Sequence, residues 1–292
     1  MNKIVIVGSL EQGLLFGIMA LGVFISFRVL RIADLTVEGS FPLGGAIAAM
    51  MLAKGEAPLV ATLAAVAGGA FAGVITGLLI SRLRIVPLLS GIITMTALYS
   101  INLRVMGRPN ITLLGMSTVI SSFSRWLGLP GQALPFALSV AALLILALLW
   151  LFGTAWGTAM RATGENEDMV AALGVDSGGM KVWGLCLANA LVALSGALVA
   201  QYQGFADVGM GVGIVVAGLA AVIIGEALLG GLTVGRALMA VMAGSICYRL
   251  IIALALRAGL APTDLKLITA ALVVLALSLP RFRSLFLQTL GR

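Results

Sequence analysis

Nine apolar stretches, each about the length that crosses a bilayer, constrain this chain more than any other feature. They fall at roughly 5–27, 35–53, 58–80, 86–103, 133–152, 182–203, 211–229, 235–256 and 266–280. A spanning helix needs about 20 mostly apolar residues. A membrane β-barrel would show alternation in segments of about 10 residues instead, and these runs are continuous. With 61% hydrophobic and 10% charged residues, the chain lacks the polar surface a soluble domain needs. It is expected to be an all-α polytopic membrane protein of about nine helices (eight to ten), with residues 1–292 forming one transmembrane domain.

The first run continues into Arg28 without a small-residue cleavage site, which reads as a retained span rather than a signal peptide. Cys186 and Cys247 both fall inside spans and read as packing residues. The chain has no histidine, which removes the usual neutral-pH proton shuttle and the commonest metal ligand. No cofactor or metal is expected. The net charge of +7 suits anionic lipid headgroups rather than nucleic acid.

Lysine and arginine near span ends set orientation. Arg281, Arg283 and Arg292 place the C-terminus in the cytoplasm. Counting back through nine spans puts Arg28, Arg31, Arg82, Arg84, Arg161, Lys181 and Arg236 inside, and the N-terminus outside.

One polar interval interrupts the second half, Met160 to Gly184. It carries Arg161, Glu165, Asn166, Glu167, Asp168, Asp176 and Lys181. Its middle, Glu167 to Val175, reads as a short amphipathic helix with Met169, Val170, Leu173 and Val175 available to dock. A membrane protein that hangs such a helix into water offers a handle to a partner. Asp34 to Leu52 and Asp207 to Gly225 look like distant copies. Each opens with an aspartate, passes a patch rich in Gly or containing Pro, and becomes an Ala-rich helix. Running in opposite directions, they form an inverted-repeat pattern, which points to a substrate route. The second span is short and carries Pro42, Gly39, Gly44 and Gly45, so it is expected to be discontinuous, with Thr36 to Gly45 facing the axis of a dimer. Gly69, Gly73 and Gly77 form a small-residue stripe that marks a close helix contact, within the bundle or between two copies.

Charges within a bilayer are expensive and face a cavity or a partner. Glu11, beside Gln12, reads either as a tie to a helix break or as a path residue. Asp34 and Glu38 read either as solvated at a membrane edge or, with Thr36 and Ser40, as the lining of the solute path. Glu226 and Arg249 read as an ion pair. No GxxxxGK[ST] sequence is present, so nucleotide phosphates have no P-loop here. Gly209 to Gly213 lacks the strand–helix context of a dinucleotide loop.

The run LEQGLLFGIMALGVFISFRVLRIADLTVEGSFPLGGAIAA, Leu10 to Ala49, resembles the N-terminal signature of ABC importer permeases. The branch is the one holding the branched-chain amino acid and ribose permeases, and the chain is most similar to tryptophan/tyrosine-type permeases. DLTVEGS is similar to the DLSVGS element of ribose-type permeases. The stretch from Arg161 to Leu198 resembles the cytoplasmic coupling-helix region and the span after it. GLAAVIIGEALLGG resembles a glycine-rich stretch of the C-terminal half. One departure is Glu226, where many relatives carry a small or polar residue.

The resemblance implies a transmembrane subunit of the bacterial inner membrane, not itself an enzyme. It would form the path for a small polar solute, such as an amino acid. The implied partners are a cytoplasmic ABC ATPase that binds the ATP, an extracytoplasmic solute-binding protein, and a second permease copy. The coupling role transfers onto Glu165, Asn166, Glu167, Met169, Ala172, Leu173 and Gly174, within a cytoplasmic segment 155–181. The path role transfers onto Asp34, Thr36, Glu38 and Ser40, with Glu11 added from its place in the first span. An ion- or proton-coupled secondary transporter is the alternative that inverted repeats and buried acids would also suit.

Overall fold

In hydrocarbon every backbone N–H and C=O must be satisfied within its own segment, so continuous apolar runs become helices. The computed structural model describes residues 3–128, 131–230 and 233–259, with isolated positions between 264 and 274. Helix α1 spans Lys3–Val23 and continues through a π-helical turn, Phe24–Val29. Helices α2 (Val37–Ala53), α3 (Pro58–Ser81) and α4 (Pro87–Met106) follow, then a three-residue strand β1 (Asn110–Thr112) and the short α5 (Val119–Trp126). After α6 (Leu134–Gly153) comes the polar segment with α7 (Ala155–Glu165) and α8 (Glu167–Ala172). The second half holds α9 (Ser177–Gln203), strand β2 (Phe205–Asp207), a 3-10 turn at Val208–Gly211, α10 (Ile214–Leu229) and α11 (Val234–Arg257). Pro58 and Pro87 stand in the first turns of α3 and α4, where a missing N–H is harmless.

Seven of these segments are long and apolar enough to span, and α2 is an eighth, shorter apolar helix. They match the first eight apolar windows in order. The ninth window, 266–280, and the C-terminal arginines lie outside or almost wholly outside the described residues.

Chain alternation separates two ends. Arg31 pairs with Glu165 and Arg28 with Glu226, while Arg82 and Arg84 line a cavity with Glu167 and Lys181. The basic residues expected on the cytoplasmic side therefore share one end with the polar segment. At the opposite end β1 and β2 pair antiparallel, Ile111 opposite Ala206. This ribbon has no counterpart in the sequence reading, because its three-residue strands are too short to show a period.

Helix α2 is the structural centre. It packs against α3, α4 and α9, and most of its side chains are buried. Glycine permits that packing. A Cβ on Gly196 of α9 would lie 1.9 Å from the carbonyl oxygen of Phe41, and one on Gly44 would lie 2.0 Å from that of Ala193. The stripe Gly69, Gly73 and Gly77 likewise seats α3 on α9, against Asn189, Leu185 and Val182. It is a seam within the chain.

The expected discontinuity of the second span lies at its start. Residues 31–34 are non-helical, and Arg31 takes a φ of 56°. From Val37 the helix runs unbroken through Pro42. A single proline removes one backbone bond, and the burial of α2 on its neighbours holds the helix together.

Candidate functional site

The two repeat segments start alike. The Asp34 carboxylate accepts from the backbone N–H of Thr36 at 2.9 Å, and that of Asp207 accepts from Gly209 at 2.7 Å. Each aspartate thus closes a local turn before a short helix, α2 or α10. The two approach from opposite ends of the bundle, and they meet. Glu38, in the first turn of α2, accepts from the N–H of Gly213 at 3.1 Å. Gly213 is the N-cap of α10, so the carboxylate stands where the helix dipole favours a negative charge. Gly211 makes the approach possible: a Cβ there would lie 2.0 Å from the Glu38 carbonyl oxygen.

Around Glu38 lies a cavity of about 270 Å³, lined by Gly39, Pro42, Met95, Thr96, Tyr99, Asn102, Val208 and Val212. Of the four residues expected on the path in this segment, Glu38 alone lines it. Asp34, Thr36 and Ser40 are fully buried in a hydrogen-bond network behind it. Asn189 of α9 donates to Asp34 at 2.8 Å and accepts from Ser40 at 2.7 Å. The Thr36 hydroxyl meets that of Thr76 at 2.8 Å, and Thr76 donates to Thr94 at 2.9 Å. Asn189 sits near the middle of α9, so Asp34 is deep in the bundle and the solvated-edge reading fails for it. These three residues fix α2 to α3, α4 and α9 and thereby position Glu38.

Glu11 is buried and accepts from the Tyr202 hydroxyl at 2.9 Å. It ties α1 to α9, at a point where α1 is unbroken, and does not line the Glu38 cavity. The expected pairing of Glu226 with Arg249 is not what forms. Glu226 binds Arg28 at 2.7 Å, because the end of α10 meets the end of the first span. Arg249 lies over the ring of Phe16, 3.4 Å from its centroid. Asn102, which lines the cavity, and Asn189, which bonds Asp34 and Ser40, are site positions that sequence reasoning did not single out. An amide inside a span is costly unless bonded, and that was the available signal.

At the other end the residues expected to couple to an ATPase come together. Asn166 ends α7 and caps α8 by accepting from Met169 N–H at 3.0 Å. Asp176 caps α9. Glu165, Asn166, Glu167, Met169, Ala172, Leu173 and Gly174 are all exposed on this turn, with Leu173 at 74%. Val170, expected among the docking residues, instead turns inward and is buried. Glu167 reaches Lys181 and accepts from Ser177. The lysine holds its carboxyl below the usual glutamate value, against a smaller opposing effect of burial.

Residues 5–278 match the family described as the branched-chain amino acid transport system permease component. The chain belongs to that family. It is 39% identical over 271 residues to a tyrosine transport system permease protein of Clostridioides difficile, covering 92% of this chain and 89% of that one. It is 29% identical over 233 residues to the ribose import permease protein of Bacillus subtilis, covering 79% and 68%. Its fold is similar to a solved ABC transporter chain of proposed metal-chelate type in an inward-facing conformation, with a TM-score of 0.53 at 16% identity, over 96% of this chain and 85% of that one. The chain is thus an ABC permease component and a multi-pass protein of the inner membrane. Family membership removes the ion-coupled secondary transporter reading. Permeases of this kind are membrane subunits, not themselves catalytic, that act with ATPase and membrane-subunit partners.

Proposed function

We propose that this chain forms the translocation path of an ATP-binding-cassette importer for an amino acid or a related small polar solute, delivered by an extracytoplasmic solute-binding protein. Two copies pair across the bilayer. ATP is bound and hydrolysed by a separate cytoplasmic subunit that docks on α8. The observation that carries this reading is the exposed turn at α7–α8. It displays Met169 and Leu173 to water between two membrane spans, as an apolar groove on a partner requires. The Glu38 cavity, where α2 and α10 start against each other, supplies a polar point on the path. The tyrosine permease relative favours an amino acid as solute.

The test is reconstitution of the full chain in vesicles with an ABC ATPase and a solute-binding protein that co-purify with it. The expected result is uptake of L-tyrosine or a related amino acid that needs ATP on one face and the binding protein on the other. Transport independent of either protein would overturn the reading.

A further inference from the structure

The Asn102 side chain is fully buried within α4 and lines the Glu38 cavity. Its amide nitrogen donates to the carbonyl of Gly39 at 3.2 Å, which fixes which end of the amide is which. Its Oδ1 is left without a hydrogen-bond partner among the described residues. A buried acceptor with no donor is expensive and rare. Asn102 lines the cavity wall, and a ligand N–H that reached Oδ1 from the cavity, with a small shift of the atoms that now cover it, would complete the acceptor.

The rest of the lining is equally rich in acceptors. Glu38 brings a carboxylate of which one oxygen is engaged by Gly213 N–H. Pro42 has no N–H, so the Glu38 carbonyl loses the donor that a helix would give it four residues on. The Thr96 hydroxyl donates its hydrogen to Ile92 at 2.8 Å and so presents lone pairs. Among the described residues no lysine or arginine lines the cavity. The remaining walls are apolar or aromatic: Pro42, Met95, Val208, Val212 and Tyr99, which is 57% exposed. A site with several acceptors and a negative charge, with no cation of its own, selects a ligand that brings positive N–H donors.

We propose that Glu38 and Asn102 form a subsite for the primary ammonium group of the solute, with Asn102 Oδ1 as its specificity-determining acceptor and the Met95–Tyr99 face receiving an apolar or aromatic side chain. The proposal rests on the importer reading and adds the solute class and the residue that reads it. At about 270 Å³, the cavity is smaller than the roughly 300–1,000 Å³ of drug-sized pockets, which suits one small solute or part of one.

The experiment measures uptake by the complete transporter of three probes at saturating binding protein: L-tyrosine, its des-amino analogue 3-(4-hydroxyphenyl)propionate, and D-ribose. Wild type is expected to prefer the amine over the des-amino probe. Asn102→Leu should cut that preference by about tenfold or more, the value of one hydrogen bond to a charged group, while the amount of assembled transporter stays the same. Asn102→Asp keeps an acceptor and loses the donor to Gly39, so it should retain or raise the preference even if the complex is less stable. Should Asn102→Leu not assemble, Asn102→Ala takes its place, with the same expected fall. An unchanged ratio in Asn102→Leu, or a fallen one in Asn102→Asp, overturns the subsite. Wild-type uptake of D-ribose with neither aromatic probe would overturn the subsite and leave the importer standing; uptake of none of the three would count against both.

Discussion

Arg28 Nε donates to Glu226 Oε1 at 2.7 Å, joining the end of the first span to the end of α10. The side chains are 63% and 25% exposed, so the pair is worth at most about 1 kcal/mol of stability. Its leverage is positional, because α10 begins at the Glu38 cavity and ends here. Glu226→Gln should leave folding within about 1 kcal/mol of wild type and slow uptake several-fold. The swap of Arg28→Glu with Glu226→Arg should restore much of the rate. A swap no better than the single variants in a vesicle uptake assay would show that this contact does not matter.

Asp34 and Asn189 form the centre of the buried network, with Ser40 and Thr36 around them. Asn189→Leu strands both the Asp34 carboxylate and the Ser40 hydroxyl. Each stranded group costs about 1–3 kcal/mol, and more if charged. Asp34→Asn should be milder alone, since Thr36 still has an acceptor. Because the two side chains touch, a double-mutant cycle on thermal unfolding should show a coupling of about 0.5–3 kcal/mol. Additive effects would mean that the network does not act as a unit.

Gly196 can be tested against an internal control. An alanine there must push α2 away from α9, since its Cβ would sit 1.9 Å from the Phe41 carbonyl oxygen. Overpacking of this kind costs about 1–3 kcal/mol. Gly153, at the end of α6, meets nothing within 4 Å, and Gly153→Ala should change stability by less than about 0.5 kcal/mol. Equal melting temperatures for the two variants would contradict the packing.

The spans and their order were legible because a bilayer forces continuous apolar runs into helices, and eight windows fall on eight helices. The repeat was legible as well: Asp34 and Asp207 close matching turns. What the sequence did not carry was partner choice. Whether Glu226 meets Arg28 or Arg249 depends on which helix ends converge, and no local pattern encodes that. Pro42 suggested a break in α2, yet one lost bond is tolerated where the helix is enclosed, and the non-helical residues fall earlier, at 31–34. Thr36 and Ser40 looked like path residues because polar groups in a span are costly. The same cost is met by Thr76 and Asn189 on other helices, which only the packing reveals. Asn102 was passed over because a lone amide carries no periodic signal.

The Lys181 contact on Glu167 sets an acid limit for the α7–α8 turn. The Glu167 carboxyl is held below its ordinary value of 4.5, first by the hydrogen bond from Lys181. A depressed acid contributes its stabilisation above the unfolded value and loses it as pH falls through the folded one. The contact should therefore be intact at pH 7 and pH 5 and be lost only at more acid pH. Binding of the ATPase subunit should not weaken between pH 7 and 5 through this residue, and Glu167→Gln should show the same pH profile as wild type over that interval. A Glu167-dependent loss of binding near pH 6 would contradict the arrangement.

Leu173 tests the coupling patch most directly. It is 74% exposed at the end of α8, while its neighbour Val170 is 2% exposed and anchors the turn. Leu173→Asp therefore places a charge in water in the free permease, and the bundle should insert and fold normally. In the assembled transporter the same carboxylate would be buried against the ATPase without a partner, at a cost of several kcal/mol. Uptake and stimulated ATP hydrolysis should both fall to background while the amount of protein in the membrane stays the same. Val170→Asp should behave differently, detaching α8 and reducing the folded protein itself. Normal stimulated ATP hydrolysis in Leu173→Asp would remove this turn from the coupling route, because no other change in that variant could compensate for a charge in an apolar groove.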